Sequence, residues 1–219
     1  MPNTLFLKLE GPFQSWGERA QWSVRDTAPE PTKSGIVGLL GCALGLQTDD
    51  DLRFLSQSIR IGVRCDRPGQ PLVDYHTIIT GILSAEGKVK LGKTGAPETA
   101  LSWRTYLCDA AFLVAIQSTP QWIDRLAAAV QVPVWPVYLG RKACVPSRPI
   151  YQGCGDFPTL KDALDEQEGD VQVRAVLEVA AGQGGVRRRD ELDSNSRRTF
   201  RTRYTSETLV RMCSVPEEE

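Results

Sequence analysis

The sequence contains very little histidine and no cysteine spacing that is typical of a metal site. His76 is the only histidine among 219 residues, and none of the six cysteines forms a C-x-x-C pair. Structural zinc needs four Cys or His ligands, usually in closely spaced pairs. The sequence therefore predicts no metal site and no cofactor, and it predicts that most cysteines are small buried residues of a reducing cytosol.

Long apolar segments are also missing. No run reaches the length that a transmembrane helix needs, and residues 1–10 lack the basic and apolar regions of a signal peptide. We therefore expect a cytoplasmic protein that does not contact a membrane. A Walker A motif is absent as well, which argues against nucleotide hydrolysis and leaves no small-molecule substrate indicated.

The net charge is only −1, but the basic residues are unusual in kind and position. There are 19 arginines against 7 lysines, and residues 187–203 contain seven arginines and three acidic residues, a local charge of +4. Arginine presents a planar fork that suits phosphate, and it stacks on bases. A neutral chain with local arginine clusters is typical of a protein that contacts a polyanion on one face.

The order of periodic segments predicts an α+β protein with a ferredoxin-like fold. A strand at 4–10 precedes a helix at 33–46, strands follow at 59–65 and 105–117, and a helix at 119–130 precedes a late strand at 171–179. We expect one domain over 1–219, with an exposed hairpin inserted at 81–104 and a basic loop at 181–203. Glycines 35, 38 and 41 predict close packing of the first helix on a sheet.

The start of the first predicted helix is a candidate anion site. A helix N-terminus carries unpaired N–H groups and partial positive charge, and here it coincides with hydroxyls and a lysine. The alternative is an ordinary threonine N-cap with no ligand. The motif is Pro31-Thr32-Lys33-Ser34-Gly35.

Four further motifs could contact a nucleic acid, and each has a plainer alternative. Trp16 beside Gln14 could stack on a base or fill the core. Arg104 could anchor RNA at the base of the hairpin or be solvated, and Arg141 with Lys142 could neutralise phosphates after a glycine turn. The window 187–203 could bind RNA or be a solvated charge run.

His76 leaves an enzymatic hypothesis open. RNA cleavage at a 2′-hydroxyl needs a base, an acid and a group that stabilises phosphorane charge, and His76 with Tyr75 and a lysine could supply them. No second histidine and no carboxylate pair with metal spacing supports this reading. A structural or RNA-adjacent role for His76 is the alternative.

Several blocks, in order along nearly the whole chain, resemble one known family. They are Leu7–Gly17, Pro31–Gly41, Val63–Asp66, Asp74–Thr77, Trp103–Ala110, Tyr138–Cys144, and Arg189-Asp190-Glu191 followed by Arg198-x-Phe200-x-x-Arg203. Together they resemble the CasD family, whose members are subunits of Cascade, the type I-E CRISPR surveillance complex. The loop between Gly17 and Pro31 is acidic in places and departs from a basic groove, and 181–188 matches nothing in the family pattern.

The resemblance implies the RAMP superfamily, with a ferredoxin-like (RRM-like) domain, a projecting thumb hairpin and C-terminal β elaboration. It implies a non-catalytic subunit that holds the 5′ handle of the CRISPR RNA, adjoins the subunits CasC and CasA, and meets target DNA only through the complex. RNA processing belongs to CasE in type I-E systems, whereas related subunits of other subtypes are endonucleases. The residues predicted to contact RNA are Gln14, Trp16, Arg25, Thr32, Lys33, Ser34, His76, Arg104, Arg141, Lys142, Arg198 and Arg203.

Three hypotheses thus follow from the sequence. The first is the RNA-binding subunit just described, and the second is a metal-independent endoribonuclease centred on His76 and Tyr75. In the third, the chain is a scaffold whose arginine window at 187–203 binds proteins rather than RNA.

Overall fold

A computed structural model describes residues 1–18, 23–79, 87–93, 95–194 and 199–213. The chain is a mixed α+β protein, and all strand pairs within these residues are antiparallel except β3 with β6. The helices are α1 (Lys33–Leu44), α2 (Asp49–Ser58), α3 (Pro120–Gln131) and α4 (Leu160–Leu164). The strands are β1 (Thr4–Glu10), β2 (Phe13–Gln14), β3 (Val24–Arg25), β4 (Arg60–Arg67), β5 (Gln70–Ile78), β6 (Ala100–Cys108), β7 (Ala111–Gln117), β8 (Tyr151–Gly155), β9 (Val171–Val179), β10 (Val186–Ser194) and β11 (Thr199–Met212).

Seven of the described strands form one sheet in the order β10-β11-β9-β4-β7-β1-β8. Alternation along β1 turns Leu5, Leu7 and Leu9 to one side, where all three are fully buried in the main core with residues of α1 and α3. The opposite side is covered in part by α4, whose Leu160 and Leu164 belong to a second apolar cluster. No helix in the described ranges is long and apolar enough to cross a membrane.

Helix α1 begins at the predicted place but packs differently. Thr32 is its N-cap, and Gly45 ends it in the left-handed conformation. The expectation that its glycines pack on a sheet is wrong. A Cβ at Gly35 would lie 2.7 Å from the Trp16 ring, a Cβ at Gly41 would lie 2.5 Å from the Leu52 side chain, and Gly38 faces open space.

A second sheet carries Arg25, His76 and Arg104, which the sequence predicts to contact RNA. Strands β5 and β6 pair along their whole length, from Gln70 opposite Cys108 to Ile78 opposite Ala100. On its other side, β6 pairs with β2 and β3. We call this four-stranded unit the ribbon. Residues 100–104 of the insertion predicted at 81–104 belong to β6, and the rest of the predicted range falls between β5 and β6. Residues 81–86 and 94 lie outside the described residues, so a projecting thumb stays a prediction.

The prediction of a basic loop at 181–203 is wrong over most of its length. Residues 186–194 and 199–203 belong to β10 and β11, which pair antiparallel and extend the main sheet. The polar composition misled the prediction because several of these charged side chains are paired inside the protein, as described below. A strand can carry many charges when one side of it faces opposite charges.

Candidate nucleic-acid interface

Gln14 and Trp16, two of the predicted RNA contacts, are part of the core and not of a binding surface. Trp16 is 1% exposed, and its Nε1 donates a hydrogen bond to the Gln14 Oε1 at 3.1 Å. Gln14 is fully buried, and its Nε2 donates to the carbonyl oxygens of Leu9 and Ala110 at 3.1 and 2.8 Å. Every polar atom of this pair is therefore used internally, so the predicted RNA contacts of Gln14 and Trp16 are wrong.

The predicted anion site exists, but the chain fills it with its own carboxylate. The backbone N–H of Lys33 donates to Asp190 Oδ2 at 2.9 Å. The Lys33 ammonium is enclosed as well, since its Nζ lies 2.8 Å from Glu178 and 3.3 Å from Glu191 and its side chain is 2% exposed. A buried cation needs such partners. The prediction that Lys33 binds an RNA phosphate is therefore wrong.

The two hydroxyls of this motif serve the helix. Thr32 Oγ1 accepts a hydrogen bond from the Gly35 N–H at 3.3 Å, and Thr32 is 1% exposed. The plain N-cap was the alternative reading, and it is the one that the structure shows. Ser34 is half-buried, and its Oγ lies 3.4 Å from Thr32 Oγ1. Direct RNA contact by Thr32 is thus wrong, whereas Ser34 keeps some exposed surface.

Two arginines of the window at 187–203, Arg188 and Arg203, are paired with carboxylates inside the protein. Arg203 is 6% exposed and donates to both carboxylate oxygens of Asp190, at 2.7 and 2.8 Å. Arg188 pairs with the buried Glu30, which also accepts from Arg174 at 2.6 Å. The predicted RNA contact of Arg203 is therefore wrong, because a bidentate partner already occupies its guanidinium. Arg198 lies outside the described residues.

Asp190 joins the two ends of this buried network. Burial by itself would raise the pKa of the Asp190 carboxyl, but the hydrogen bonds and charge of Arg203, together with the Lys33 N–H, outweigh burial and lower that pKa below its ordinary value. Asp190 is consequently ionised at neutral pH. It ties the start of α1 to β10 and β11, so this part of the chain is a structural clamp.

Other predicted residues come together on one side of the ribbon. Side chains on neighbouring strands that are in register share a face. Arg25 is in register with Arg104, which lies opposite Asp74, and His76 lies opposite Ser102 on the same face. Arg25, His76 and Arg104 are each half-buried. With the turn that bears Arg141 and Lys142, these residues form a surface that we call the basic face, defined by Arg25, His76, Arg104, Arg141 and Lys142.

Arg141 positions the basic face and keeps its own charge. Its guanidinium donates to the carbonyl oxygens of Thr105 at 3.2 Å, Arg25 at 2.9 Å and Asp26 at 3.3 Å, and it lies 4.7 Å from the centre of the Tyr106 ring. Carbonyl oxygens and a ring face orient a cation without neutralising it. The turn needs a glycine before this arginine, because Gly140 has φ +89° and a Cβ there would lie 1.8 Å from the Ser15 carbonyl oxygen. Lys142 beside it is exposed.

A cavity of about 300 Å³ opens at the basic face. The His76 ring stacks near Tyr106 with centroids 6.5 Å apart, and the His76 Nε2 contacts the Asp74 carboxylate. Aromatic side chains beside cations can bind a base and its phosphate together. Phe13, Leu72, Asp74, His76, Tyr106 and Ala143 line the cavity.

The sequence prediction missed several residues of this surface. Phe13, Asp74 and Tyr106 line the cavity, yet none of them was predicted as a site residue. Strict alternation along β6, where Arg104 and Tyr106 face one way, could have identified Tyr106. No local sequence pattern predicts that Phe13 lines the cavity, because its position depends on the pairing of β2 with the far end of β6.

The fold and the basic face define an α+β protein with one side suited to a polyanion. The sequence matches the model of the CRISPR-associated protein (Cas_Cas5) family over residues 4–213. The CRISPR system Cascade subunit CasD of Escherichia coli (strain K12) is 39% identical over 187 residues, with 78% of this chain and 81% of that protein covered. The chain belongs to the Cas5 family, and its resemblance to the CasD type is confirmed.

Two solved structures share the architecture. A chain of a structure titled CRISPR RNA-guided surveillance complex superposes with a TM-score of 0.75 at 31% identity, and the match covers 95% of this chain and 90% of that one. A structure titled Crystal structure of Cas protein superposes with a TM-score of 0.69 at 32% identity, covering 95% of both chains. The mixed α+β fold with a mostly antiparallel sheet is therefore that of Cas proteins.

Proposed function

We propose that this chain is a non-catalytic RNA-binding subunit of a type I-E Cascade complex and holds the 5′ handle of the CRISPR RNA on the basic face. The observation that carries the proposal is the convergence of Arg25, Arg104, Arg141 and Lys142 beside the cavity at His76, on a chain whose net charge is only −1. Arg188 and Arg203 are neutralised by carboxylates inside the protein, whereas Arg141 binds carbonyl oxygens. Local cation excess is the electrostatic footprint of RNA binding.

The architecture supports a ferredoxin-like unit at the centre of this proposal. Strands β4, β7, β1 and β8 are consecutive neighbours in the main sheet, and α1 and α3 are the helices of the β1–α1–β4 and β7–α3–β8 connections. A ferredoxin-like unit has this β-α-β-β-α-β order, and RNA-recognition modules of this kind bind single-stranded RNA by stacking and by contacts to phosphates.

Two relatives support the proposal that this chain is part of a larger complex. CasD is by its name a subunit of Cascade, and one structural relative lies in a surveillance complex. As the resemblance to CasD implies, we propose that this chain lies beside CasC at the end of the backbone and next to the large subunit CasA, with target DNA bound only through the complex, in the cytoplasm. The ribbon, with its inserted segment, is the element that we expect to act as the thumb.

The geometry favours binding over cleavage. The endoribonuclease hypothesis needs Tyr75 and His76 to act at one phosphate. These residues are adjacent on β5, so their side chains point to opposite faces of the ribbon. Precursor RNA incubated with the purified protein in EDTA should stay intact. Cleavage that is lost in His76→Ala would favour the enzyme.

A direct test measures the affinity of the purified chain for an RNA oligonucleotide with the 5′ handle sequence. Arg104→Ala and Lys142→Ala should each weaken binding several-fold, because each removes a cation from the basic face. Lys161→Ala, which removes an exposed lysine from α4, is the matched control and should bind like the parent. Equal affinity of all three variants would contradict the proposal.

A further inference from the structure

Asp74 is an acidic residue on a surface that is otherwise basic. Among the described residues that line the cavity of the basic face, Asp74 alone carries a carboxylate. It lies opposite Arg104 in the ribbon, and strand register places Arg25 on the same face. A carboxylate beside these cations weakens the attraction for phosphates, because like charges repel. A surface that bound only the RNA backbone would therefore bind it more tightly without Asp74.

Internal ion pairing does not account for this carboxylate. Opposite charges that face each other across two strands commonly pair. Within the described ranges, however, Arg104 forms no ion pair with Asp74, and its Nε donates to the Ser102 Oγ at 3.2 Å. The Asp74 side chain is 48% exposed, and its Oδ2 contacts the His76 Nε2. The Asp74 Oδ1 accepts no hydrogen bond from a described residue, so the carboxylate keeps open acceptor positions at the cavity.

The other walls of the cavity are largely apolar or aromatic. Phe13 and Leu72 are 41% and 44% exposed, so their side chains are accessible to a ligand. Tyr106 is 8% exposed, and the Arg141 guanidinium lies 4.7 Å from the centre of its ring. Proteins recognise single-stranded RNA by packing an unstacked base on aromatic side chains while its edge forms hydrogen bonds. The cavity offers both, with about 300 Å³ of space and one carboxylate.

The chemistry of a carboxylate selects one base. An ionised carboxylate accepts hydrogen bonds and cannot donate them. Guanine presents two adjacent donors, N1–H and N2–H, on its Watson–Crick edge, and these match the two carboxylate oxygens. On adenine, cytosine and uracil, an acceptor lies beside the single donor of that edge and would face a carboxylate oxygen. Two opposed acceptors leave hydrogen bonds unmade at a cost in free energy, so Asp74 favours guanine.

We propose that the cavity is a subsite for one unstacked guanine of the bound RNA, whose N1–H and N2–H donate to Asp74 while its ring packs against Phe13 and Tyr106. His76 is a positioning residue, because its Nε2 contact orients the Asp74 carboxylate. The proposal rests on the proposed function for the presence of RNA on the basic face. It adds base recognition to a surface whose cations, by themselves, bind phosphates of any sequence.

The test measures the affinity of the purified full-length chain for eight-nucleotide RNAs. One RNA is uridine throughout, and the others carry guanosine, adenosine or cytidine at one position, which is moved along the strand. At its best position, guanosine should raise the affinity of the parent about fivefold or more over uridine, the lower bound for a bidentate contact to a base. Adenosine and cytidine at that position should bind within about twofold of uridine.

Asp74→Asn tests the role of the carboxylate, because the amide replaces one acceptor with a donor. The variant should bind the guanosine and uridine RNAs within about twofold of each other. Its affinity for the all-uridine RNA should not fall, because the cations of the basic face remain. Asp124→Asn, which removes the same charge from an exposed position on α3, is the matched control and should keep the guanosine preference.

Different failures have different meanings. If the parent binds all the RNAs alike, or prefers another base, the guanine subsite is wrong while RNA binding by the basic face stands. The same holds if Asp74→Asn keeps the guanosine preference, because another group would then read the base. If the parent binds neither these RNAs nor the handle RNA, the proposed function fails and the subsite fails with it. The parent measurements need no variant, so they decide the matter even if Asp74→Asn folds poorly.

Discussion

Replacement of Lys33 by methionine separates a structural lysine from an RNA ligand. The variant keeps the length and apolar stem of the side chain but removes the ammonium that lies 2.8 Å from Glu178 and 3.3 Å from Glu191. Removing one partner from a buried ion pair costs about 3–5 kcal/mol, because the other charge is left uncompensated. Arg203 still lies 3.8 Å from Glu178, so we expect the lower end, about 3 kcal/mol.

That loss is measurable by urea or thermal unfolding. A change of 1 kcal/mol shifts the melting temperature of a protein of this size by about 2–4 °C, so Lys33→Met should lower it by roughly 6–12 °C. RNA affinity, measured well below the transition, should stay close to that of the parent. Lys142→Ala is the matched control, with parental stability and weakened RNA binding. Parental stability of Lys33→Met with weakened RNA binding would refute the reasoning and restore the phosphate role of Lys33.

Three further substitutions test the local arguments. Gly38→Ala should raise the free energy of unfolding by about 0.5–1 kcal/mol, because the position is inside α1 and its Cβ would meet open space; a lower stability in denaturant titration would contradict this. Gly140→Ala should destabilise the turn that carries Arg141, since a Cβ would meet the Ser15 carbonyl oxygen at 1.8 Å, and circular dichroism melting with RNA titration should show both properties reduced. The pKa of Asp190 is lower in the folded protein than in the unfolded chain, so the ionised carboxylate stabilises the fold above about pH 4, the unfolded value, and this stability is lost as pH falls through the folded pKa. Asp190→Asn should therefore be less stable than the parent at pH 7 and should lose less stability on acidification. Parallel curves of stability against pH for the two proteins would refute this.

Much of the fold follows from local sequence patterns. The strand at 4–10, the helix that Thr32 caps and the helix that starts at Pro120 all appear as predicted, because alternation and capping act within a few residues. The error at 181–203 has a physical cause. Arg188 looks solvated in sequence, but its partner Glu30 is 158 residues away along the chain. Arg203 also looks solvated, and its partner Asp190 is identified only once β10 and β11 are known to pair.

The candidate site was predictable only in part. Arg104, Arg141 and Lys142 were identified from charge and turn chemistry, and they do share a surface with Arg25 and His76. The prediction that Lys33 binds RNA was wrong because a helix N-terminus attracts any carboxylate, and the sequence does not reveal that β10 supplies Asp190. The prediction for Trp16 was wrong because Gln14 was interpreted as a second RNA contact. In the core, Gln14 instead accepts the hydrogen bond that the Trp16 indole N–H donates.

The central claim is that RNA phosphates lie on the basic face. The most direct measurement is the salt dependence of handle-RNA affinity for the parent and for the Arg104→Ala, Lys142→Ala double variant. Each phosphate contact on a single strand contributes a slope of about −0.7 in log affinity against log salt, so the double variant should be shallower by about 1.4. An unchanged slope, in a variant with parental stability, would contradict the account.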